Sequence, residues 1–233
     1  MVLTRKGISA SSEAIIKEQR QITKEKLLAS PGLIIGTIGF LLILVTAILV
    51  PILNTQDPNA MVVMDRLKAP SATHIFGTDE VGRDYLARVI YGGRISLLVG
   101  VLAMLMSITI GVTVGILAGY LGGIVDSILM RIVDVLQSIP WLILVTVVSI
   151  FFKQGLVSIV IVIGFFSWME IARLVRAEVM SVKEREYVLY ADFTGVSLLK
   201  MVIRHLIPSV LPTIIIAATT SISNAIMTES SLS

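Results

Sequence analysis

Five long stretches without a charged residue constrain this chain most: Leu27–Gln56, Ile95–Val125, Val135–Phe152, Gln154–Met169 and Leu206–Thr228. A helix needs roughly 20 mostly apolar residues to cross the ~30 Å hydrocarbon core of a bilayer. The first, second and fifth stretches reach that length alone. The third reaches it by running back through Asp134 toward Ile128, and the fourth by running forward through Glu170 toward Leu174. Charged residues make up 15% of the chain, against about 25% in a soluble domain. The expectation is an all-α membrane protein, a polytopic helical bundle with five spans. The first span is too long for a signal-peptide core and no A-x-A pattern follows it, so it reads as a retained helix.

The net charge of +3 is accounted for by basic cytoplasmic loops and gives no reason to expect a nucleic-acid partner. The chain has no Cys, and its two His residues are His74 and His205. Disulfides, thiolate chemistry and a multi-His metal site are therefore not expected.

Orientation follows from the basic residues. Residues 1–28 carry Arg5, Lys6, Lys17, Arg20, Lys24 and Lys26, which places the N-terminus in the cytoplasm. Ile15, Gln19 and Ile22 share one helical face there, predicting a short amphipathic helix at the membrane surface. Alternation puts residues 54–92 outside, the Gly119–Asp134 turn inside, Lys153 outside and residues 172–205 inside. The last of these carries six basic residues, Arg173, Arg176, Lys183, Arg185, Lys200 and Arg204. The organisation expected is a cytoplasmic segment 1–28, a first span with an extracytoplasmic segment over 29–92, and a core of spans over 93–233 with a cytoplasmic loop 177–205. Five spans leave the C-terminus outside, and a sixth helix is expected to be missing from this sequence.

Two polar segments carry the most information. The first is EYVLYADFTGVSLLKMVIRHLIP, Glu186–Pro208. Residues 186–193 suit a short helix, Gly195 lets the chain turn after it, and Pro208 is expected to break or bend the start of the next span. The outcome is a rigid knob on a bent stalk. The second is GTDEVGRDYLARVIYGGRISLLVG, Gly77–Gly100. Here Asp79, Arg83, Asp84 and Arg88 lie at helical spacings that allow Asp–Arg pairs, and they are expected to pin a membrane-entry turn.

The first segment resembles the cytoplasmic coupling segment of bacterial ABC importer permeases. That family's pattern is Glu-Ala-Ala, three residues, Gly, nine residues and Ile-x-Leu-Pro. Leu189, Tyr190 and Ala191 occupy its first three places, Gly195 and Pro208 fall at the expected spacing, and His205 and Ile207 replace the Ile and Leu. Glu186 stands one turn ahead of the place of the missing acid. The second segment resembles the stretch before the second helix in the C-type subunit of the dipeptide/oligopeptide and nickel branch, through Gly77, Thr78, Asp79, Gly82, Arg83, Asp84 and Arg94 among others.

The resemblance implies a bundle of the type I importer kind, with six helices in a complete subunit. It implies a bacterial inner-membrane protein that pairs with a second permease, two cytoplasmic ATPases and an extracytoplasmic solute-binding protein. The ATPases would grip Glu186, Tyr187, Leu189, Tyr190, Ala191, Asp192, Gly195, Arg204 and Pro208. ATP and Mg would be bound by those partners, since the chain has no G-x-x-x-x-G-K-[ST] loop, and this chain would be no enzyme. The expected cargo is peptide, with nickel complexes, glutathione or opine-like solutes as alternatives. A non-transporting assembly subunit is the reading from another class. An intramembrane zinc protease would need H-E-x-x-H, which the sequence lacks.

Remaining features concern the spans themselves. Gly111, Gly115 and Gly119 recur at four-residue intervals, a packing pattern. Pro140, beside Gln137, Ser138 and Trp141, predicts a kink in the third span. Thr219, Thr220, Ser223 and Asn224 form a polar stripe expected to line a pathway. Glu170 is expected to pair with Arg173 or Arg176 at the cytoplasmic surface.

Overall fold

The structure is a computed structural model that describes residues 30–53, 57–151 and 155–232. The amphipathic helix expected within residues 1–28 and the turn at Lys153 lie outside the described residues. The chain divides into two compact units, one ending at Tyr91 and the other covering Gly92–Ser233.

In the first unit, α1 (Pro31–Leu53) is a 23-residue apolar helix. It opens on a proline, whose missing N–H costs nothing at the first helical position. Residues 57–84 are irregular apart from one 3-10 turn, Val63–Asp65, and a single bridge between Thr78 and Asp84. The segment is held instead by polar groups that bond within it. Asp79 Oδ1 accepts the backbone N–H groups of Val81 and Arg83, each at 3.0 Å. Its Oδ2 accepts Arg83 Nε at 2.8 Å and Arg88 Nη1 at 2.6 Å. The Thr78 hydroxyl bridges the Lys68 N–H and the Asp65 carbonyl. Gly82 has φ +79° and a Cβ there would lie 1.8 Å from the Val62 carbonyl oxygen, so only glycine fits. Asp79 thus forms its Arg pairs, but from a tight turn rather than a helix. Asp84 pairs with His74 Nδ1 at 3.0 Å instead of Arg88, and its Oδ1 accepts the Ala87 N–H at 2.8 Å, capping the next helix.

That helix, α2 (Tyr85–Leu121, 37 residues), is longer than expected from the charge-free stretch alone. Arg88 and Arg94 interrupt the apolar run without interrupting the helix, because their flexible stems carry the charge outward. Gly122 and Gly123, at φ +65° and +53°, end it. The expected inner turn is therefore largely a helix, α3 (Gly123–Gln137), followed by α4 (Trp141–Phe151). The third span is not kinked at Pro140 but split. The Ser138 N–H folds back on the Asp134 and Val135 carbonyls, and the Pro140 carbonyl accepts the Leu144 N–H to start α4. With no N–H of its own, Pro140 cannot continue the ladder of α3.

Next, α5 (Leu156–Lys183) buries Gly164, Trp168, Ile171, Ala172, Val175, Val179 and Val182 on one face at helical spacing. It packs on α2 at very short range. A Cβ on Gly111, Gly115 or Gly119 would lie 2.8, 2.7 or 2.9 Å from the carbonyl oxygens of Trp168, Ala172 and Arg176. Between lipid-bathed helices such close contact supplies the attraction that hydrophobic exclusion cannot. Ion pairs of Arg173 with Asp134 and of Arg176 with Asp126 tie α5 to α3.

The loop that follows holds α6 (Glu186–Phe193). Beyond it α7 (Leu198–Met201), a π-helical turn (Val202–Leu206) and α8 (Ile207–Leu232) follow one another without a break. The last helical run thus begins at Leu198, ahead of the charge-free stretch. Pro208 does not break it. Pro208 and Pro212 lack the N–H groups that would bond the residue 204 and 208 carbonyls, and the chain widens into the π turn just before them.

Among the described residues, three helical runs are long and apolar enough to cross a membrane: Tyr85–Leu121, Leu156–Lys183 and Leu198–Ser231, with a shorter apolar stretch at Ile34–Thr46.

Candidate functional site

Two sites emerge within Gly92–Ser233. The first is the knob. Val188 and Ala191 on the inner face of α6 join a buried cluster with Val175, Val179 and Val182 of α5 and with Met201, Leu206 and Val210. The helix ends in a Schellman closure: Gly195 N–H bonds the Asp192 carbonyl at 2.9 Å and Val196 N–H bonds the Ala191 carbonyl at 3.1 Å. Gly195 adopts φ +75° to make it. Glu186 in the first turn complements the helix dipole.

Side chains then tie the knob to the long helices. The Tyr120 hydroxyl at the end of α2 donates to Asp192 Oδ1 at 2.9 Å; beside it, Lys183 Nζ at the end of α5 donates to the Gly119 carbonyl of α2 at 3.1 Å, joining the two long helices to each other. The Tyr187 and Ser209 hydroxyls lie 2.7 Å apart, and Ser209 Oγ donates to the His205 carbonyl at 2.6 Å. Asp192 and Tyr187 thus face two different helices, which their place in the sequence could not reveal. Tyr120 and Ser209 carry no local signal at all.

The outer side of α6 exposes large apolar side chains as well. Phe193 is 91% exposed and Tyr190 71%, with Leu189 and, beyond the turn, Leu199 also exposed. These apolar side chains stand beside the exposed carboxylates Glu186 and Asp192 on the same short helix. Phe193 is not among the residues expected from the sequence; an aromatic residue at the tip of a polar loop is the available signal. Arg204 and Pro208 are exposed on the adjoining helical run.

The second site is an open cavity of about 760 Å³ walled by the α3–α4 break, α5 and α8. Thr220 and Asn224 of the expected polar stripe line it, whereas Thr219 and Ser223 do not. Thr219 and Ser223 turn their hydroxyls to the Ile216 and Thr219 carbonyls of their own helix. Gln137, Pro140 and Trp141 contribute from the break, and Glu170 from α5. The expected pairing of Glu170 with Arg173 or Arg176 does not form, because Asp134 and Asp126 of α3 take both guanidinium groups.

The motif residues Gly77, Thr78, Asp79, Gly82, Arg83 and Asp84 are brought together in the first unit, and Arg94 lies exposed on α2. Burial opposes ionisation of Asp79, but the Arg83 and Val81 N–H groups and the Arg83 side chain outweigh it and hold the carboxyl well below the usual range. Among the described residues no group of three or more His, Asp or Glu side chains is arranged to hold a metal ion.

These elements define a polytopic helical membrane protein with a rooted, apolar-faced knob in its polar loop. The chain belongs to the family of binding-protein-dependent transport system inner membrane components, whose model matches residues 111–233. It is 39% identical over 241 residues to the oligopeptide transport system permease protein OppC of Escherichia coli (strain K12), covering 100% of this chain and 80% of that protein. It is 33% identical over 228 residues to OppC of Bacillus subtilis (strain 168), covering 97% and 75%. With the dipeptide transport system permease protein DppC of Bacillus subtilis (strain 168) it shares 39% identity over 214 residues, covering 92% and 65%.

Proposed function

We propose that this chain is a non-catalytic permease subunit of an ATP-driven importer, forming half of a transmembrane pathway for peptides and moved through α6 by a cytoplasmic ATPase. The observation that carries the reading is the outward apolar face of α6, Tyr190 and Phe193 above all, on a helix rooted in the core beneath it. Peptide is favoured as cargo over nickel complexes, glutathione or opine-like solutes because the similar permeases belong to oligopeptide and dipeptide systems.

In this reading the N-terminus is cytoplasmic and the chain crosses five times, with α4 and its flanking residues making the third passage. A second permease completes the pathway. Two ATPases bind ATP and Mg and hold one knob each, while a solute-binding protein delivers cargo from outside. A ligand shifts an equilibrium only by binding its two states differently. ATP binding draws the two knobs together and favours the outward-open state, and hydrolysis restores the inward one. Tyr120–Asp192 and Tyr187–Ser209 carry the displacement from α6 to α2 and α8. The cavity is this subunit's share of the pathway wall.

Co-purification from detergent-extracted membranes tests this. The wild type should bring down a second permease and ATPases. A Tyr190→Ala/Phe193→Ala variant should keep the permease and lose the ATPases. Equal ATPase recovery with both proteins, or none with the wild type, overturns the coupling role.

A further inference from the structure

The cavity holds three polar side chains that the fold leaves uncommitted. Ser167, Thr220 and Thr228 spend their hydroxyls on carbonyls of their own helices, and Ser221 is engaged with Ser107. By contrast, among the described residues the side chains of Gln137, Glu170 and Asn224 have no hydrogen-bond or ion-pair partner, and all three line the cavity exposed. The position of Glu170 is the informative one. It stands at the end of the charge-free run of α5, with arginines three and six residues further on. Both arginines are held by aspartates of α3, the Arg176–Asp126 pair through two contacts. The fold therefore neutralises its basic groups elsewhere and leaves one carboxylate facing open space within a mostly apolar wall. An ionisable group in such surroundings faces a water-filled path or a charged ligand.

We infer that Glu170 is a charge-selective contact for the cargo: it receives an ammonium or guanidinium group, while the amides of Gln137 and Asn224 bond the cargo's own amide groups. Two primary amides each offer a donor and an acceptor, which matches a peptide backbone. Most of the remaining wall, Leu174 and Ile216 among it, is apolar, and its Ser and Thr hydroxyls are already engaged, so it places little demand on side-chain shape. The inference rests on the reading of the cavity as pathway wall. It adds that this wall favours positive cargo.

The test uses the complete transporter in proteoliposomes with saturating binding protein, and uptake of radiolabelled Ala-Lys-Ala and Ala-Glu-Ala. The quantity read is the ratio of the two rates, compared between variants so that binding-protein preference cancels. Glu170→Gln should lower the Lys-to-Glu ratio by up to about fivefold, the effect expected of a partly exposed ion pair. Glu170→Lys should lower it further. Asn224→Asp, which adds a carboxylate to the same wall, should raise it. Ratios unchanged in all three variants, with uptake otherwise intact, overturn the inference and leave the importer reading standing. A fully assembled wild-type complex that takes up neither peptide overturns both.

Discussion

The polar turn over residues 62–88 and the cavity over Gln137–Thr228 are built on opposite rules. In the turn, Asp79 alone accepts two backbone N–H groups and two arginines, and Asp84 serves both His74 and the start of α2. In the cavity, fewer polar side chains are present and three of them have no partner among the described residues. The density of charge in the first region looks like function in the sequence, yet its geometry is that of a fastening. Unspent hydrogen-bonding capacity, rather than charge count, separates a site from a scaffold. The knob repeats the lesson with apolar surface: its inner face is buried and its outer face is not.

The sharpest way to break this comparison is to disturb the turn. Gly82→Ala should cost about 4 kcal/mol or more, since its Cβ meets a backbone carbonyl at 1.8 Å. Loss of monodisperse protein after detergent extraction is the expected outcome. The same change at Gly195, where nothing lies within 4 Å, should leave the protein monodisperse.

Next in size is the outer face of α6. Tyr190→Ala with Phe193→Ala should weaken ATPase binding by about 2 kcal/mol, roughly 30-fold, measured by titrating purified ATPase onto nanodisc-embedded complex. The melting temperature should move by less than about 2 °C, because both side chains are already exposed.

Gly195→Val should cost about 1–2 kcal/mol from its left-handed backbone alone. Insertion should be retained while uptake per ATP hydrolysed falls. Uptake at the normal rate would show that the Schellman closure does not govern transmission.

The smallest effect concerns Asp79. Its pKa is lowered by folding, so its stabilisation is complete above the ordinary carboxylate value near pH 4 and is lost as pH falls below that. The wild type should therefore melt above Asp79→Asn at pH 7, with the difference shrinking only in acid. A difference that grows as pH falls would contradict the assigned ionisation.

How much of this was legible in the sequence varied with the range of the interactions involved. Helix-forming apolar runs, the glycine stripe and the turn at Gly195 are local, and they were read. The extra turns of α2 before Ile95 were hidden because counting charge-free residues stops at Arg94, whereas a helix does not. The split at Ser138–Pro140 looked like a kink, since a proline signals the loss of a bond but not whether the helix resumes. Glu170 was misassigned because helical spacing to Arg173 and Arg176 is visible in one dimension, while the competing Asp126 and Asp134 come from another helix. Phe193 falls outside the positions of the coupling pattern, and only the fold shows its side chain exposed at the end of α6.

The glycines of α2 have a mechanical consequence. Gly111, Gly115 and Gly119 rest on three carbonyls of α5 spaced by the same four residues, like teeth in matching notches. A slide short of one full notch, about 6 Å along the axis, would drive a larger residue against a carbonyl. The two helices therefore cannot creep past each other by small steps and carry load as a single beam. In the proposed importer, a stroke delivered through Tyr120 would move that beam whole. A stroke passing from the knob toward the cavity wall along the chain would instead meet the widened turn at Val202–Leu206, a different joint from the glycine-notched one.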